Sequence, residues 1–515
     1  MGWDKELEEL KRRSAMAEQM GGEEKLQRQA ERGKLNVRER LARLVDDGSF
    51  REIGKLAGRA QYNDDGTLKD FSPSNFLFGR ANVEGRPIVA TGDDFTVRGG
   101  AADAAIWQKM VAAEQMANEL RLPLVRMIDG TGGGGSVKTL NTSARTYVPF
   151  NPGWEWVVRN LATVPVVALG LGPVAGLGAA RLVSSHFSVL VKDLGQVFVA
   201  GPPVVKRLGE DIDKEQLGGA HIHGPNGTVD AVAASEDEAI AMAQRFLSYL
   251  PSSIDQLPPR IEPTDDPARE DEALLNIVPE DRRKVYKMRK IINSVFDQGS
   301  FFEMGAAWGK SAITGFARID GWPVAVLAND PYHYGGGWTA DAAQKIVRFI
   351  DLAETFHLPV VHLVDNPGFL IGTESERAST IRHGSRALAA VYQATVPWCT
   401  VLIRKAFGVA GAANLNHSRF HYRFAWPSGD WGSLPVEGGI EAAYKSELEK
   451  AEDPEALRAQ IESVLNAVRS PFRTAESYLV EDIIDPRKTR SLLCEFAELA
   501  APLRKTGPSA FPLRP

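Results

Sequence analysis

The sequence predicts an α/β layer fold made of two similar halves, and three observations carry that expectation. A segment that begins at Gly85-Arg86-Pro87 returns, without a gap, 236 residues later at Gly321-Trp322-Pro323. In both copies short apolar runs alternate with stretches of helical periodicity, the grammar of a layered α/β domain. Between the copies lies a proline-rich, acidic stretch with the character of a linker. Residues 85–132 and 321–368 share 15 of 48 aligned positions, several times the roughly 6% expected from average residue usage. The register runs through Asp94/Asp330, Gly99-Gly100/Gly335-Gly336, Gln108-Lys109/Gln344-Lys345, Leu122-Pro123/Leu358-Pro359 and Asp129/Asp365. Asp47-Gly48-Ser49-Phe50 and Gln298-Gly299-Ser300-Phe301, and Val164-Pro165 and Val396-Pro397, extend the likeness.

Each element has its own reason. Residues 4–11 alternate acid and base with no apolar core, so the start of the chain reads as a helix rather than a targeting leader. In the first half the turn at Gly85-Arg86-Pro87 leads into an apolar strand at 88–90, a glycine pair follows, then a helix over 101–120 and a strand at 124–128. The counterparts in the second half are 324–327, 339–356 and 360–364. Residues 161–180 are twenty uncharged, mostly apolar positions, long enough to span a membrane. Pro165, Gly170, Gly172, Pro173, Gly176 and Gly178 interrupt them, so a buried strand, a glycine-rich turn and the start of a helix are expected instead. Four prolines and three acids in 257–268 mark the boundary. Two domains follow, 1–258 and 269–515, joined by a linker at 259–268.

Composition narrows the function. Across 515 residues, 43% hydrophobic and 24% charged content exclude disorder and fibre. Sixty Lys and Arg against 66 Asp and Glu give a net charge of −6, which offers no general attraction for nucleic acid or an anionic membrane, so neither partner is expected. An anionic ligand needs a local site. Cys399 and Cys494 are the two cysteines, too few for a disulfide framework or a four-cysteine zinc ribbon, and they suit a reducing cytoplasm, the expected compartment.

Two glycine-bearing turns, 170–179 and 406–413, follow the third apolar run of each half. Small residues there let backbone N–H groups approach a ligand and face developing negative charge. Close strand-to-helix packing needs small residues too, but two such turns at equivalent places favour a ligand. His221-Ile222-His223, read as part of a strand, sets both rings on one face without a third ligand nearby in sequence, which favours a structural role over a metal site. The glycines at 132–135 lack the Gly-Lys-Ser/Thr of a phosphate loop, leaving flexibility or close approach to a ligand. The sequence holds no Gly-x-Ser-x-Gly elbow and no His-Glu-x-x-His helix.

Asp365-Asn366-Pro367-Gly368-Phe369, Ile381-Arg382-His383-Gly384, Arg404-Lys405-Ala406-Phe407-Gly408 and Ala425-Trp426-Pro427 are more specific. With 32–41, 47–50, Phe95-Thr96-Val97-Arg98-Gly99-Gly100, Leu217-Gly218-Gly219-Ala220 plus His223, and 481–487, the chain resembles, nearly end to end, the carboxyltransferase subunits of biotin-dependent acyl-CoA carboxylases, the propionyl-CoA carboxylase β type. The resemblance implies two tandem crotonase-like (ClpP/crotonase) ββα spiral domains. It also implies that the glycine turns form two oxyanion holes, one for the enolate of an acyl-CoA thioester and one for the ureido oxygen of biotin. Carried over by position, the first hole falls on Gly176 and Leu177 and the second on Val409 and Ala410. Gly133, Gly134, Gly408, Gly411, Ala412 and Phe369 are the residues expected to line the substrates.

The chain departs from the family at several of these places. Leu177 and Val409 stand where glycine is usual, which keeps each N–H but narrows the pocket. The stretch 130–138 replaces the usual Gly-Gly-Ala-Arg and is followed by Tyr147, Phe150, Trp154 and Trp156, so the family's substrate contacts from this loop do not carry over; Gly411-Ala412 replace Tyr-Asp, which leaves the acyl preference open. In the implied mechanism carboxybiotin releases CO₂ and its ureido nitrogen takes the α-proton, with no side-chain base and no metal in this chain. No Met-Lys-Met biotin acceptor occurs, and Met288-Arg289-Lys290 is predicted to be helical, so biotin is expected on a separate carrier, brought by an α subunit with biotin carboxylase and carrier domains.

A homohexamer is also implied, a trimer of dimers of 56.2 kDa chains, about 340 kDa. In it the first half of one chain faces the second half of another. Rival readings are a decarboxylase subunit running the same half-reaction backward and a non-catalytic scaffold of the same fold. An enoyl-CoA hydratase is disfavoured because 170–185 contains no acid.

Overall fold

The structure, a computed structural model, describes residues 2–101, 104–130, 145–146, 148–416 and 419–509, with Glu437 described in its backbone alone. It divides into two compact units, Met1–Gln256 and Leu257–Phe511. In the first, the strands are β1 (Arg51–Glu52), β2 (Gly58–Tyr62), β3 (Leu68–Pro73), β4 (Phe76–Val83), β5 (Arg86–Asp93), β6 (Leu124–Gly130), β7 (Val166–Ala175), β8 (Phe187–Val191), β9 (Gln196–Phe198) and β10 (Ala231–Ala233). The second unit carries β11 (Phe302–Met304), β12 (Ala312–Ile319), β13 (Trp322–Asn329), β14 (Val360–Asn366), β15 (Trp398–Phe407), β16 (His421–Ala425), β17 (Asp430–Gly432) and β18 (Asp482–Ile483).

The two main sheets have the same order. One runs β1-β4-β5-β6-β7-β8-β10 with β9 on β7, the other β11-β12-β13-β14-β15-β16-β18 with β17 on β15. An antiparallel hairpin opens each parallel set: β4 pairs β5, and β12 pairs β13. Its turn follows from sequence, because Glu84-Gly85 and Asp320-Gly321 all have positive φ, the requirement of a tight two-residue hairpin. The register repeats as well: Val89 faces Leu124 in one sheet and Ala325 faces Val360 in the other. Every residue of β6 and β14 is buried, as parallel strands covered on both faces must be. The fold class and the duplication therefore stand as the sequence led one to expect.

The helix expected over 339–356 is Ala340–Thr355, and the Oγ1 of Thr339 accepts the N–H of Ala342 as its cap. Its counterpart begins at Trp107 rather than 101, because Arg98–Gly100 forms a separate 3₁₀ turn and Ile106, at φ 55°, reverses the chain before the helix starts. The uncharged stretch at 161–180 is the end of helix Trp154–Leu161, strand β7 and the start of helix Leu177–Val183. Among the described residues no helix is long and apolar enough to cross a membrane.

His221 and His223 lie in the short helix Ala220–His223, not on a strand, because Gly219 turns the chain and its carbonyl accepts the N–H groups of Ile222 and His223. Residues 257–268 are fastened along the second unit: the Ile261 N–H donates to Gly321 O, and the carbonyls of Asp265 and Asp266 accept from Arg490. Met288 and Ile291, Ile292 and Val295 of helix Met288–Val295 pack on Leu493 and Phe496, so that helix is a core element.

Candidate functional site

Strand β7 ends at Ala175, and the next residue sets the geometry of the first turn. Gly176 has φ 59° and ψ −123°, torsions strongly disfavoured for a residue with a Cβ, although an added Cβ there would meet no atom. The constraint is torsional rather than steric. The N–H of Gly176 is taken by Phe198 O of β9 at 3.4 Å, and its carbonyl accepts the N–H of Ala180. The N–H groups of Leu177 and Gly178, at the head of the helix, have no acceptor among the described residues.

The second turn repeats the first. Strand β15 ends at Phe407, Gly408 has φ 61°, and the N–H groups of Val409 and Ala410 are without an acceptor among the described residues. Val409 is 55% exposed and Ala410 buried. Since β7 and β15 are both ten residues long, Gly176 corresponds to Gly408, Leu177 to Val409 and Gly178 to Ala410. The donor pair that matches Val409-Ala410 is thus Leu177-Gly178, one residue later than the family motif alone places it.

Two asparagines hold the second turn. Asn366, at the end of β14, donates from Nδ2 to Ala410 O at 3.1 Å and accepts the N–H of Gly368 at 2.9 Å, and Asn414 donates to Gly411 O at 2.6 Å. An added Cβ on Gly411 would lie 2.5 Å from the Ala406 carbonyl carbon, so this glycine serves packing, while Ala412 is exposed. Phe369 leans on Trp338, with ring centroids 6.1 Å apart, and presses on Gly384, so much of its ring is committed to the fold. Gly133 and Gly134 lie outside the described residues.

Beneath each turn sits a buried aspartate at a break in strand pairing, Asp129 between β6 and β7 and Asp365 between β14 and β15. Asp129 is neutralised by Lys34 at 2.7 Å and Arg40 at 2.8 Å, and Arg40 also pairs with Glu236. Asp365 is held by Arg404 at 3.0 Å and by the Tyr286 hydroxyl at 2.9 Å. Burial and the neighbouring Asp365 carboxylate keep the Tyr286 phenol protonated, well above its ordinary range. These clusters were not singled out from sequence, since Lys34 and Arg40 lie some ninety residues from the acid they serve.

A cavity of about 500 Å³ opens in the first unit and reaches Pro173, three residues before Gly176. Lys25, Arg28, Arg32, Lys34, Arg98 and Lys214 line it, with Phe95 on one wall. The motif Phe95–Gly100 thus contributes to a basic pocket, and its Gly100 is needed where the chain crosses Asp129 O, 2.4 Å from any added Cβ. The Nε2 of the His223 ring meets Val197 O at 2.9 Å, a structural tie. Among the described residues no group of three or more His, Cys, Asp or Glu is placed to hold a metal.

Two tandem α/β units each present, at the end of the central strand, a pair of backbone N–H groups without an acceptor among the described residues. Residues 28–509 match the carboxyl transferase domain family, and the chain belongs to it; it is a biotin-dependent acyl-CoA carboxyltransferase by family. The chain is 31% identical over 99% of its length to the propionyl-CoA carboxylase carboxyltransferase subunit of Haloferax mediterranei, covering 98% of that protein. It is also 31% identical over 97% of its length to the methylmalonyl-CoA decarboxylase α subunit of Veillonella parvula, covering 96% of it. Among solved structures, transcarboxylase 12S, a hexamer assembly with methylmalonyl-CoA and methylmalonic acid bound, superimposes with a TM-score of 0.87 at 31% identity over 99% of both chains.

Proposed function

We propose that this chain moves CO₂ from carboxybiotin, carried on a separate protein, to the α-carbon of an acyl-CoA in the cytoplasm. The observation that carries the reading is the pair of equivalent turns, each led by a left-handed glycine and followed by two N–H groups without an acceptor among the described residues. Leu177 and Gly178 hold the thioester oxygen as it becomes an enolate, and Val409 and Ala410 hold the ureido oxygen; Gly176 and Gly408 set the torsions that aim them. When bound, carboxybiotin supplies the CO₂ and a nitrogen that takes the α-proton. The basic cavity beside Pro173 suits the nucleotide phosphates of CoA, with Phe95 as an apolar wall for adenine. The partner is an α subunit with biotin carboxylase and carrier domains, and the chain assembles as a homohexamer that sets the first unit of one protomer against the second of another.

The test is a pull-down probed for biotin, followed by an acyl-CoA panel with labelled bicarbonate and ATP. The chain alone fixes no bicarbonate, and addition of the biotinylated partner gives a labelled acyl-CoA. Robust fixation without a second protein contradicts the proposal. The likeness to a methylmalonyl-CoA decarboxylase subunit supports a second reading, in which the same donors serve the reverse transfer. Avidin-sensitive loss of CO₂ from the carboxylated thioester, without net carboxylation under ATP and bicarbonate, selects it.

A further inference from the structure

A second cavity, of about 290 Å³, lies in the second unit at the amino ends of the strands, opposite the end that carries the glycine turn. Its walls precede three neighbouring parallel strands: His357 comes just before β14, Thr395 just before β15, and Arg419 and Phe420 just before β16. Arg504 and Lys505, which follow the last helical turn Ala501–Leu503, close it from the side. Four of these residues are basic, and among the described residues no carboxylate lines the space. The Glu354 carboxylate close by is already engaged by the backbone of Thr395 and Val396 and the Thr395 hydroxyl.

Arg504 marks the space as a binding site rather than a gap. It is 9% exposed, and its guanidinium stacks 5.0 Å over Trp322. Its Nε donates to Ala501 O at 3.3 Å, while Nη1 is buried with no hydrogen-bond partner among the described residues. A guanidinium removed from water without a counter-charge is costly, and an anion of matching geometry recovers that cost. Burial lowers the Arg504 pKa to about 10, in keeping with the absence of a carboxylate beside it. Phe420, Val396 and Leu503 add an apolar wall.

We propose that this cavity binds a small ligand through an oxyanion head, a phosphate or a carboxylate, with Arg504 as the buried donor and Arg419 and Lys505 at the mouth. It stands apart from the carboxyltransferase reading, because the residues lie at the amino ends of the strands and the donors of that reaction at the carboxyl ends. Binding is measured without turnover.

The full chain, in its native assembly, is titrated calorimetrically with inorganic phosphate and, separately, with acetate, in chloride buffer of matched ionic strength. Saturable binding of one ion per chain is expected for at least one of the two, and which one saturates distinguishes a phosphate ligand from a carboxylate. Arg504→Gln weakens it roughly tenfold or more, the effect of one lost charge-assisted contact. The exposed pair Arg419→Gln with Lys505→Gln does the same and serves if Arg504→Gln fails to fold. Absence of saturation with both ions, as when an acidic group of the protein itself fills the cavity, or equal affinity in the variants, overturns the proposal.

Discussion

Leu177 occupies the first position of its helix, where proline is well tolerated because the missing N–H has no intrahelical partner. Leu177→Pro therefore deletes one proposed oxyanion donor while keeping the fold, and turnover should fall about 10²–10³-fold with little change in the melting temperature. Leu177→Ala, which keeps the N–H, should stay within a few-fold of the parent; normal turnover in the proline variant would move the hole elsewhere. Asn366→Ala frees the Ala410 carbonyl and the Gly368 N–H together, so kcat should drop with KM for acyl-CoA nearly unchanged, and equal losses in both would point to general unfolding. A third residue carries a pH signature. Asp93 accepts the N–H of Asp129, as Asn329 accepts that of Asp365, but Asn329 can also donate to Gly336 O while an ionised Asp93 has no donor to offer. Burial, partly offset by Arg181, raises the Asp93 pKa from 3.8 to about 6. The folded protein therefore holds a proton that the unfolded chain has released, and stability declines as pH rises across that window. Asp93→Asn should stabilise by about 1–2 kcal/mol above that window, less than the full shift implies because the residue is only half-buried, and should gain nothing below it. Chemical denaturation at acid and neutral pH decides, and a pH-independent difference would refute it. The one-residue offset proposed for the first donor pair was not legible in sequence, since it rests on the pairing of β7 with β9, where the Gly176 N–H donates to Phe198 O.

Strands that share a register need not share their support. The seventh residue of β15 is Arg404, which neutralises Asp365 from the adjacent strand. The seventh residue of β7 is Gly172, and Lys34 and Arg40 do the same work for Asp129 from the segment ahead of the sheet. Gly172 is small because that segment fills its place: an added Cβ would lie 1.8 Å from Asp129 Oδ1 and 2.8 Å from Lys34 Nζ. Gly172→Ala should accordingly destabilise by about 3 kcal/mol or more, combining overpacking with a disturbed buried ion pair. An unchanged urea midpoint would mean that the cluster yields easily. The hairpins, the parallel strands and the helix Ala340–Thr355 could be read from sequence because turn glycines, apolar runs and a threonine cap are local signals. The late start of the helix at Trp107 and the helical His221-Ile222-His223 could not, because a left-handed Ile106 and a Gly219 turn override the periodicity around them.

At the scale of the molecule, the proposed function assigns one turn to each of two substrates, and each half of the chain brings one turn. If the working site joins the first unit of one protomer to the second unit of another, chains carrying Leu177→Pro and chains carrying Val409→Pro, each inactive alone, should regain part of their activity when mixed under subunit exchange. Persistent inactivity in a proven mixed oligomer would exclude the shared site. The buried aspartates differ in one more respect, which concerns the order of synthesis. Lys34 and Arg40 have left the ribosome well before Asp129, so the first acid meets its cations as soon as β6 is made, whereas Asp365 must wait thirty-nine residues for Arg404. During translation the tyrosine hydroxyl of Tyr286 is the one partner of this cluster's side chains already available to Asp365, and the carboxyl end of β14 cannot close as a charged, dehydrated core until β15 has been delivered.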